Sequence, residues 1–325
     1  MRQPNRLASG GSRIDRSQTI TFTFDGESYI GHQGDTLASA LLAHGVTLMG
    51  RSFKYHRPRG CLTCGSEEPN AIMELRSGAR REPNTRATMV ELYEGLEAKS
   101  QNRWPSLKFD VQSINQLLSP WLTAGFYYKT FMWPKSFWEP VYEKFIRRSA
   151  GLGAASTEAD PDTYEHSHAH CDVLVVGGGP AGMAAALSAG RTGARVMLAE
   201  EQAAIGGSVS PEHDRIDGKS AGEWMAAAEA ELASLDNVTL MPCTCIFGYY
   251  DHNVLAALER VNDHLVEPPE GQPRQRMWTL RAKQVVLACG SHERALTFDD
   301  NDKPGVMLSG AVRKFVERYG VTPGR

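Results

Sequence analysis

The stretch CDVLVVGGGPAGMAAALSAGRTGARVMLAEE, residues 171–201, constrains the fold more than any other part of the chain. An apolar run at residues 173–176 leads into a glycine-rich segment, an Ala-rich segment follows, and a second apolar run comes next. Gly177, Gly179 and Gly182 have the GxGxxG spacing. This order predicts a strand, a tight turn, a helix and a second strand, the βαβ unit that binds a dinucleotide.

Each glycine of this fingerprint has a physical task. Gly177 permits the tight turn, Gly179 lets the backbone approach a pyrophosphate at the helix N-terminus, and Gly182 lets helix and strand pack closely. Glu200, at the end of the second strand, is placed to accept hydrogen bonds from an adenosine ribose. A carboxylate there disfavours a 2′-phosphate, so the pattern favours NAD or FAD over NADP.

Two further segments resemble parts of flavin and pyridine nucleotide oxidoreductases with two dinucleotide-binding domains. EEQAAIGGSV resembles their loop beneath the adenosine, and LRAKQVVLACGSHER resembles a later strand whose turn closes over the cofactor, with Cys289 where threonine is usual. In such folds the backbone near Ile246 meets the adenine edge. The candidate cofactor-binding residues are Gly177, Gly179, Pro180, Ala181, Gly182, Glu200, Glu201, Gln202, Gly207, Ser208, Ile246 and Gly290.

The N-terminal part predicts a ferredoxin-like β-grasp domain. TITFTFDGESYIGHQ alternates apolar and polar residues on both sides of an Asp25-Gly26 turn, which is typical of a hairpin. Asp35 is expected to cap the helix that follows, and a cysteine-bearing loop comes after it. Hairpin, helix and cysteine loop is the chain order of a β-grasp ferredoxin.

The cysteine loop has only part of the ligand set of an iron-sulfur cluster. Cys61 and Cys64 have the plant-type spacing, but His56 stands where the first thiolate is expected, and no cysteine lies between Cys64 and Cys171. We therefore expect no cluster and no metal. RSFKYHRPRG, residues 51–60, is expected to form a basic aromatic contact surface, with a solvated loop as the alternative.

The middle of the chain is expected to connect two domains. Residues 99–155 hold four of the six tryptophans, which we expect to be buried against this chain or a partner. Residues 156–170 are polar and are expected to form a domain joint; His166, His168 and His170 alternate there, without a carboxylate or thiol to complete a metal site.

The expected fold class is α/β with an α+β N-terminal part. The expected domains are a ferredoxin-like domain (1–98), a Trp-rich connecting segment and linker (99–170), and a Rossmann-like dinucleotide-binding domain (171–325) that is incomplete at its C-terminus.

Composition excludes several function classes. With 35 Lys+Arg against 38 Asp+Glu, the net charge of -3 gives no global attraction to nucleic acid or an anionic membrane. Six cysteines in 325 residues favour a reduced, cytoplasmic protein over a disulfide-stapled one. The longest apolar run is interrupted by glycines and a proline, which argues against a membrane span. No arrangement of nucleophile and base is apparent, so we predict no catalytic residue.

The order of NRLASGG, GDTLASALLAHGV, GRSFKYHRPRG, GSEEPNA and EPNTRAT before the glycine fingerprint closely resembles the N-terminal part of the alpha subunit of heterotetrameric sarcosine oxidase. The resemblance runs from residue 5 to residue 325. It implies a cluster-less ferredoxin-like domain, NAD in this chain, FAD and FMN in the assembled complex, and beta, gamma and delta subunits as partners. It also implies a tetrahydrofolate-binding domain beyond this sequence.

The resemblance implies a part in the oxidative demethylation of sarcosine to glycine, with hydrogen peroxide formed and the one-carbon unit passed to tetrahydrofolate. The sequence ends where the next strand of the sheet is expected, so we expect a fragment that is inactive alone. The alternative is an iron-sulfur and FAD electron-transfer subunit of an opine dehydrogenase or hydrogen cyanide synthase-like complex, because Cys61 and Cys64 depart from the sarcosine oxidase pattern.

Overall fold

The computed structural model describes residues 2–122, 125, 133–211 and 213–324. The chain divides into two compact units, one of Met1–Pro161 with Arg294–Arg325 and the other of Asp162–Glu293. This division differs from the sequence-based boundaries at residues 98 and 170. The physical reason at the C-terminal end is that Ala311, Phe315 and Val321 are buried in the core of the first unit.

The first unit contains the β-grasp fold that the sequence predicts. Its five-stranded sheet has the order β2-β1-β7-β5-β6, with β1 parallel to β7 and antiparallel to β2. A separate two-stranded pair joins β3 and β4. The strands are β1 (Asp15–Phe24), β2 (Glu27–Gln33), β3 (Gly50–Arg51), β4 (Pro58–Arg59), β5 (Ile72–Leu75), β6 (Glu82–Arg86) and β7 (Leu96–Ser100).

The N-cap of the first helix in this unit is one residue later than expected. Helix α1 (Leu37–Ala43) has Thr36 as N-cap, and the Thr36 hydroxyl accepts the backbone N–H of Ser39. Asp35 instead lies buried and forms an ion pair of 2.6 Å with Arg6. The expectation that Asp35 caps the helix is therefore wrong, because its carboxylate is used to hold the N-terminal arm.

The tryptophan-rich stretch is irregular in its described parts. It forms 3-10 turns at Val111–Gln116 and Lys135–Phe137, a π-turn at Trp138–Glu143 and the short helix α2 (Lys144–Ser149). Trp104, Trp121 and Trp133 are 60, 70 and 85 % exposed, and Trp138 is half-buried. We expected these rings to be buried against this chain or a partner, and within this chain three of the four are exposed.

The second unit is a six-stranded mixed sheet with the order β12-β9-β8-β15-β14-β13. The neighbours from β12 to β15 pair in parallel, whereas β15, β14 and β13 pair antiparallel. Its strands are β8 (Tyr164–Val176), β9 (Val196–Ala199), β10 (Arg215–Ile216), β11 (Lys219–Ser220), β12 (Val238–Met241), β13 (Thr244–Tyr250), β14 (Val254–Arg260) and β15 (Gln275–Leu287). The hairpin of β10 and β11 stands apart from this sheet.

Three helices complete the described architecture, α3 (Pro180–Gly190) and α4 (Ala221–Ser234) in the second unit and α5 (Ser309–Tyr319) in the first. Residues of α3 and α4 share one apolar core with β8 and β9. A second core joins Leu174 and Met197 to Leu255 and Leu280 of the antiparallel strands. None of the helices in the described residues is long and apolar enough to cross a membrane.

The boundary between the two units, after Pro161, falls inside the segment 156–170 that was expected to contain the domain joint, but the second half of that segment is not a linker. Residues 164–170 form the first half of β8 and pair in parallel with residues 275–281 of β15. His166, His168 and His170 therefore share one exposed side of a strand. Across the described residues, no group of three His, Cys, Asp or Glu side chains could hold a metal ion.

Candidate dinucleotide-binding site

The glycine turn links β8 to α3 with the geometry that the fingerprint predicts. Gly177 has a φ of +103°, which favours glycine. A Cβ on Gly177 would lie 2.5 Å from the Ala288 carbonyl oxygen, and one on Gly182 would lie 1.9 Å from the Gly177 carbonyl oxygen. Neither position has room for a side chain, so the turn brings the start of α3 directly against the strand ends.

The N-terminus of α3 is open to an anion. Gly179 is the N-cap and provides no side-chain hydrogen bond, Pro180 is the first helical residue, and Ala181 is exposed. Backbone N–H groups in the first turn of a helix have no partner inside the helix, and the helix dipole favours negative charge there. This end of α3 can therefore receive a pyrophosphate.

Glu200 lies directly beside the turn rather than at a distance from it. Its side chain is buried, with the residue 7 % exposed. Oε2 accepts the N–H of Gly178 at 2.7 Å, and Oε1 accepts the N–H of Gln202 at 2.9 Å. The carboxylate thus joins the end of β9 to the glycine turn, and its remaining lone pairs are available to a ribose hydroxyl.

Gly178 is a site residue that the sequence reasoning missed. A Cβ there would lie 2.8 Å from Ile205 Cγ2 and 2.9 Å from Glu200 Oε2. The signal was present, because Gly178 is the middle residue of the GGG run, but the GxGxxG pattern leaves that position free.

The loop after β9 packs onto the helix N-terminus. Gly206 N–H donates to the Gly178 carbonyl at 2.8 Å. A Cβ on Gly207 would lie 2.7 Å from Gly179 Cα. Ser208 follows and is exposed. The structure therefore brings Gly207 and Ser208 to the end of α3 that can receive phosphate.

Strands β13 and β14 hold the backbone of residues 200–202 beside the glycine turn. Thr244 N–H donates to the Glu200 carbonyl at 2.7 Å, and Cys243 N–H donates to the Gln202 carbonyl at 3.0 Å. Arg260 Nη2 donates to the Glu201 carbonyl at 2.7 Å. Arg260 was not among the predicted residues, because no local pattern at the end of β14 distinguishes it.

Ile246 and Gly290 are less closely tied to the turn. Ile246 lies two residues into β13 from Thr244 and packs against the second core. Gly290 follows β15 and is exposed, and nothing lies within 4 Å of a Cβ built on it. Ala288, whose N–H donates to the Val176 carbonyl at 2.8 Å, is the residue of this segment that meets the turn. The donor set and the glycine cradle fit a dinucleotide.

The cysteine loop, residues 56–71, does not fit an iron-sulfur cluster. His56 Nδ1 lies within hydrogen-bond distance of Asp110 Oδ2, at 2.6 Å, and both side chains are 0 % exposed. Burial raises the pKa of Cys61 well above its usual value and that of Cys64 to about 12. The thiols belong to the apolar core, and a cluster needs four thiolate or equivalent ligands.

The basic surface expected of residues 51–60 is wrong for its arginines. Arg51 donates to the Leu107 carbonyl, and Arg57 and Arg59 pair with Asp302 of the same unit. Phe53 is exposed, whereas the Tyr55 hydroxyl donates to the Leu122 carbonyl. Three fixed charges of this segment are therefore satisfied inside the chain.

Two family models match the chain. Residues 17–103 match a 2Fe-2S iron-sulfur cluster binding domain, and residues 172–229 match an FAD dependent oxidoreductase. The sarcosine oxidase alpha subunit of Rhizobium meliloti (strain 1021) is 58% identical over 312 residues, which cover 96% of this chain and 32% of that protein. The chain is a homologue of sarcosine oxidase alpha subunits. The resemblance read from the sequence is thereby confirmed, and the chain spans about a third of the length of the curated relatives it matches.

Other similarities are weaker. An opine oxidase subunit of Agrobacterium tumefaciens (strain Ach5) is 31% identical over 157 residues, covering 47% of this chain and 30% of that protein. The crystal structure of L-proline dehydrogenase from P. horikoshii superposes with a TM-score of 0.63 at 19% identity, covering 99% of this chain and 50% of that one. Its likeness to this sarcosine oxidase homologue shows a shared fold.

Proposed function

We propose that this chain binds NAD and contributes the nucleotide-binding part of a multi-subunit sarcosine oxidase. The observation that carries the proposal is the 58% identity to a sarcosine oxidase alpha subunit over 96% of the chain. The glycine cradle at the start of α3 and the buried carboxylate of Glu200 support it, because together they suit a pyrophosphate and a ribose without a 2′-phosphate.

Within the proposed site the residues divide by the part of the nucleotide they would contact. Gly179, Ala181 and Gly182 would hold the pyrophosphate through backbone N–H groups. Glu200 would accept from the adenosine ribose. A bound nicotinamide supplies hydride-transfer chemistry. The remaining proposed contacts are Gly177, Pro180, Glu201, Gln202, Gly207, Ser208, Ile246 and Gly290.

The chemistry is proposed for the assembled complex rather than for this chain alone. The complex would demethylate sarcosine to glycine, form hydrogen peroxide and pass the one-carbon unit to tetrahydrofolate. FAD and FMN would be held in the assembled complex with beta, gamma and delta subunits, and tetrahydrofolate by another domain of the alpha subunit. We assign no catalytic residue to the nucleotide site, and this chain alone is expected to be inactive.

A second candidate is FAD in the same site. The match of residues 172–229 to an FAD dependent oxidoreductase family favours it. FAD shares the adenosine and pyrophosphate of NAD, so the cradle alone does not choose between them.

The identity of the nucleotide can be read directly from purified protein. Denatured protein is expected to release NAD in about 1:1 ratio, identified by chromatography and mass spectrometry. Stoichiometric FAD with a yellow absorbance spectrum and no NAD would replace the proposal by the second candidate. Sarcosine-dependent peroxide formation by the chain alone would refute the expectation that it needs partners.

A further inference from the structure

The cysteine loop folds around an anion supplied by the chain itself. Glu68 is buried, and its Oε2 accepts the N–H groups of Leu62 at 2.9 Å and Thr63 at 2.7 Å. Its Oε1 accepts the N–H groups of Asn70 at 2.7 Å and Ala71 at 3.1 Å. A carboxylate accepts on both oxygens, so this one side chain ties the two arms of the loop together.

The outer side of the loop binds an acidic segment of the same unit. Arg57 donates from Nε and Nη2 to the two carboxylate oxygens of Asp302 at 2.7 and 2.8 Å, and from Nη2 to Asp300 at 3.2 Å. Arg59 Nη1 donates to the Asp302 backbone carbonyl at 2.9 Å. The hydrogen bond from Arg57 lowers the pKa of Asp302, so the carboxylate is charged at neutral pH.

Backbone contacts extend the same interface. Leu308 N–H donates to the Leu62 carbonyl at 2.9 Å. A Cβ on Gly60 would lie 3.2 Å from Pro304 Cα and 2.4 Å from the Thr47 carbonyl oxygen. The segment therefore lies directly on the loop, at a position where only glycine leaves enough space.

Helix α5, immediately after this segment, is held from the other side by the N-terminal arm. Leu7 N–H donates to the Gly320 carbonyl at 2.8 Å, and Arg13 N–H donates to the Arg318 carbonyl at 2.9 Å. Phe315 of α5 lies in the same buried core as Cys61. Both ends of the segment and the buried face of the helix therefore contact the ferredoxin-like domain.

We propose that the cysteine loop is an intramolecular docking site whose ligand is the acidic segment 300–308 of the same chain. Glu68 organises the loop from inside, and Arg57 and Arg59 recognise the Asp-x-Asp pattern of Asp300 and Asp302 from outside. The loop that carries an iron-sulfur cluster in ferredoxins holds segment 300–308 in this chain. The proposal does not depend on which nucleotide the second unit binds.

Amide hydrogen exchange on the full chain tests the outer contact. Replacing Arg57 and Arg59 together by Gln is expected to speed amide exchange in residues 300–308 by about tenfold. The charge-assisted hydrogen bonds of these arginines stabilise the docked state, so their loss favours local opening of the segment. Arg147→Gln is the matched control, since it removes an exposed arginine paired with Glu143 in the same unit. Unchanged exchange at 300–308 in the double variant would overturn the proposal.

Two more variants separate docking from general unfolding. Asp302→Asn breaks the contact from the other side and is expected to release the same residues while β1 stays protected. Glu68→Gln is expected to speed exchange both at the four N–H groups that Glu68 accepts and at 300–308, whereas Glu67→Gln removes a neighbouring charge without touching them. If amide protection were lost throughout the first unit in both Asp302→Asn and the Arg57/Arg59 double variant, the contact would stabilise the whole unit, and the proposal of local docking would be wrong.

Discussion

The carboxylate of Glu200 accepts the backbone N–H of Gly178 at 2.7 Å, so the residue expected to bind the ribose also holds the glycine turn. The second oxygen accepts the N–H of Gln202 at 2.9 Å. The two hydrogen bonds together require that both side-chain oxygens of residue 200 be acceptors. The carboxylate of Glu200 therefore stabilises the conformation of the glycine turn and of the loop after β9 before any nucleotide is bound.

Glu200→Gln tests this double role. A glutamine amide has one acceptor oxygen, so either Gly178 or Gln202 would face an NH₂ donor. Leaving a buried donor unpaired costs about 1–3 kcal/mol, and we expect nucleotide affinity to fall at least about tenfold. Isothermal titration with NAD and thermal unfolding measure the two effects. Glu229→Gln, an exposed change on α4, should alter neither.

Gly182→Ala tests the packing of α3 against the strand ends. The added Cβ would lie 1.9 Å from the Gly177 carbonyl oxygen, which forces the turn to move. NAD affinity is expected to fall at least about a hundredfold, or about 2.7 kcal/mol. Gly193→Ala is the control, because nothing lies within 4 Å of a Cβ on Gly193, whose positive φ of +83° adds backbone strain without a steric clash. That variant should bind NAD normally, and equal losses in both would argue against the packing explanation.

The local parts of the fold could be predicted from sequence. The hairpin at Asp25-Gly26 and the βαβ unit around Gly177 depend on residues within a few positions of one another, so periodicity and turn chemistry identify them. The ferredoxin-like fold and the relationship to sarcosine oxidase alpha subunits followed from blocks of residues in order.

Long-range contacts could not be predicted in this way. Arg57 meets Asp302 and Arg6 meets Asp35 across stretches of chain that no local pattern spans. The same is true of Arg260, which contacts the Glu201 carbonyl from another strand. Hence the placement of residues 294–325 in the first unit, and the loss of the expected basic surface, required the structure.

Thiol labelling is expected to separate the cysteines into two classes. Cys61 and Cys64 are buried, and burial raises the pKa of Cys64 to about 12, so few thiolates are present at pH 8. Cys245 and Cys289 are exposed and should react first with an aromatic disulfide reagent. Peptide mapping by mass spectrometry identifies the sites. Rapid labelling of Cys61 or Cys64 in folded protein would show that the loop opens readily.

The exposed apolar side chains of the tryptophan-rich stretch predict a contact with another subunit. Phe109, Leu117 and Trp121 are exposed, and monomeric proteins seldom leave large contiguous apolar patches in water. Replacing Phe109 and Leu117 by Ser should reduce co-purification with partner subunits while NAD binding stays unchanged. Phe53→Ser is expected to act in the same direction, because Phe53 is also exposed. Lost NAD affinity with normal assembly would contradict this assignment.

The stability of the first unit is expected to fall below about pH 6.5 because of His32. Burial and the nearby charge of Arg6 lower the pKa of His32, although Asp35 opposes them, and His32 Nδ1 is buried without a hydrogen-bond partner. The unfolded chain therefore takes up a proton at higher pH than the folded protein. Stability is fully present above the unfolded pKa and is lost as the pH falls through the folded one.

His32→Gln should flatten this dependence below about pH 6.5, while unfolding at pH 8 provides the internal reference for the cost of the substitution itself. Urea denaturation at several pH values, monitored through amide exchange of β1 and β2, measures the slope. Because the imidazole would have to become charged close to Arg6, the wild-type slope must be positive over this range, with stability rising as the pH rises. An equal slope in the variant would assign the pH dependence to another group.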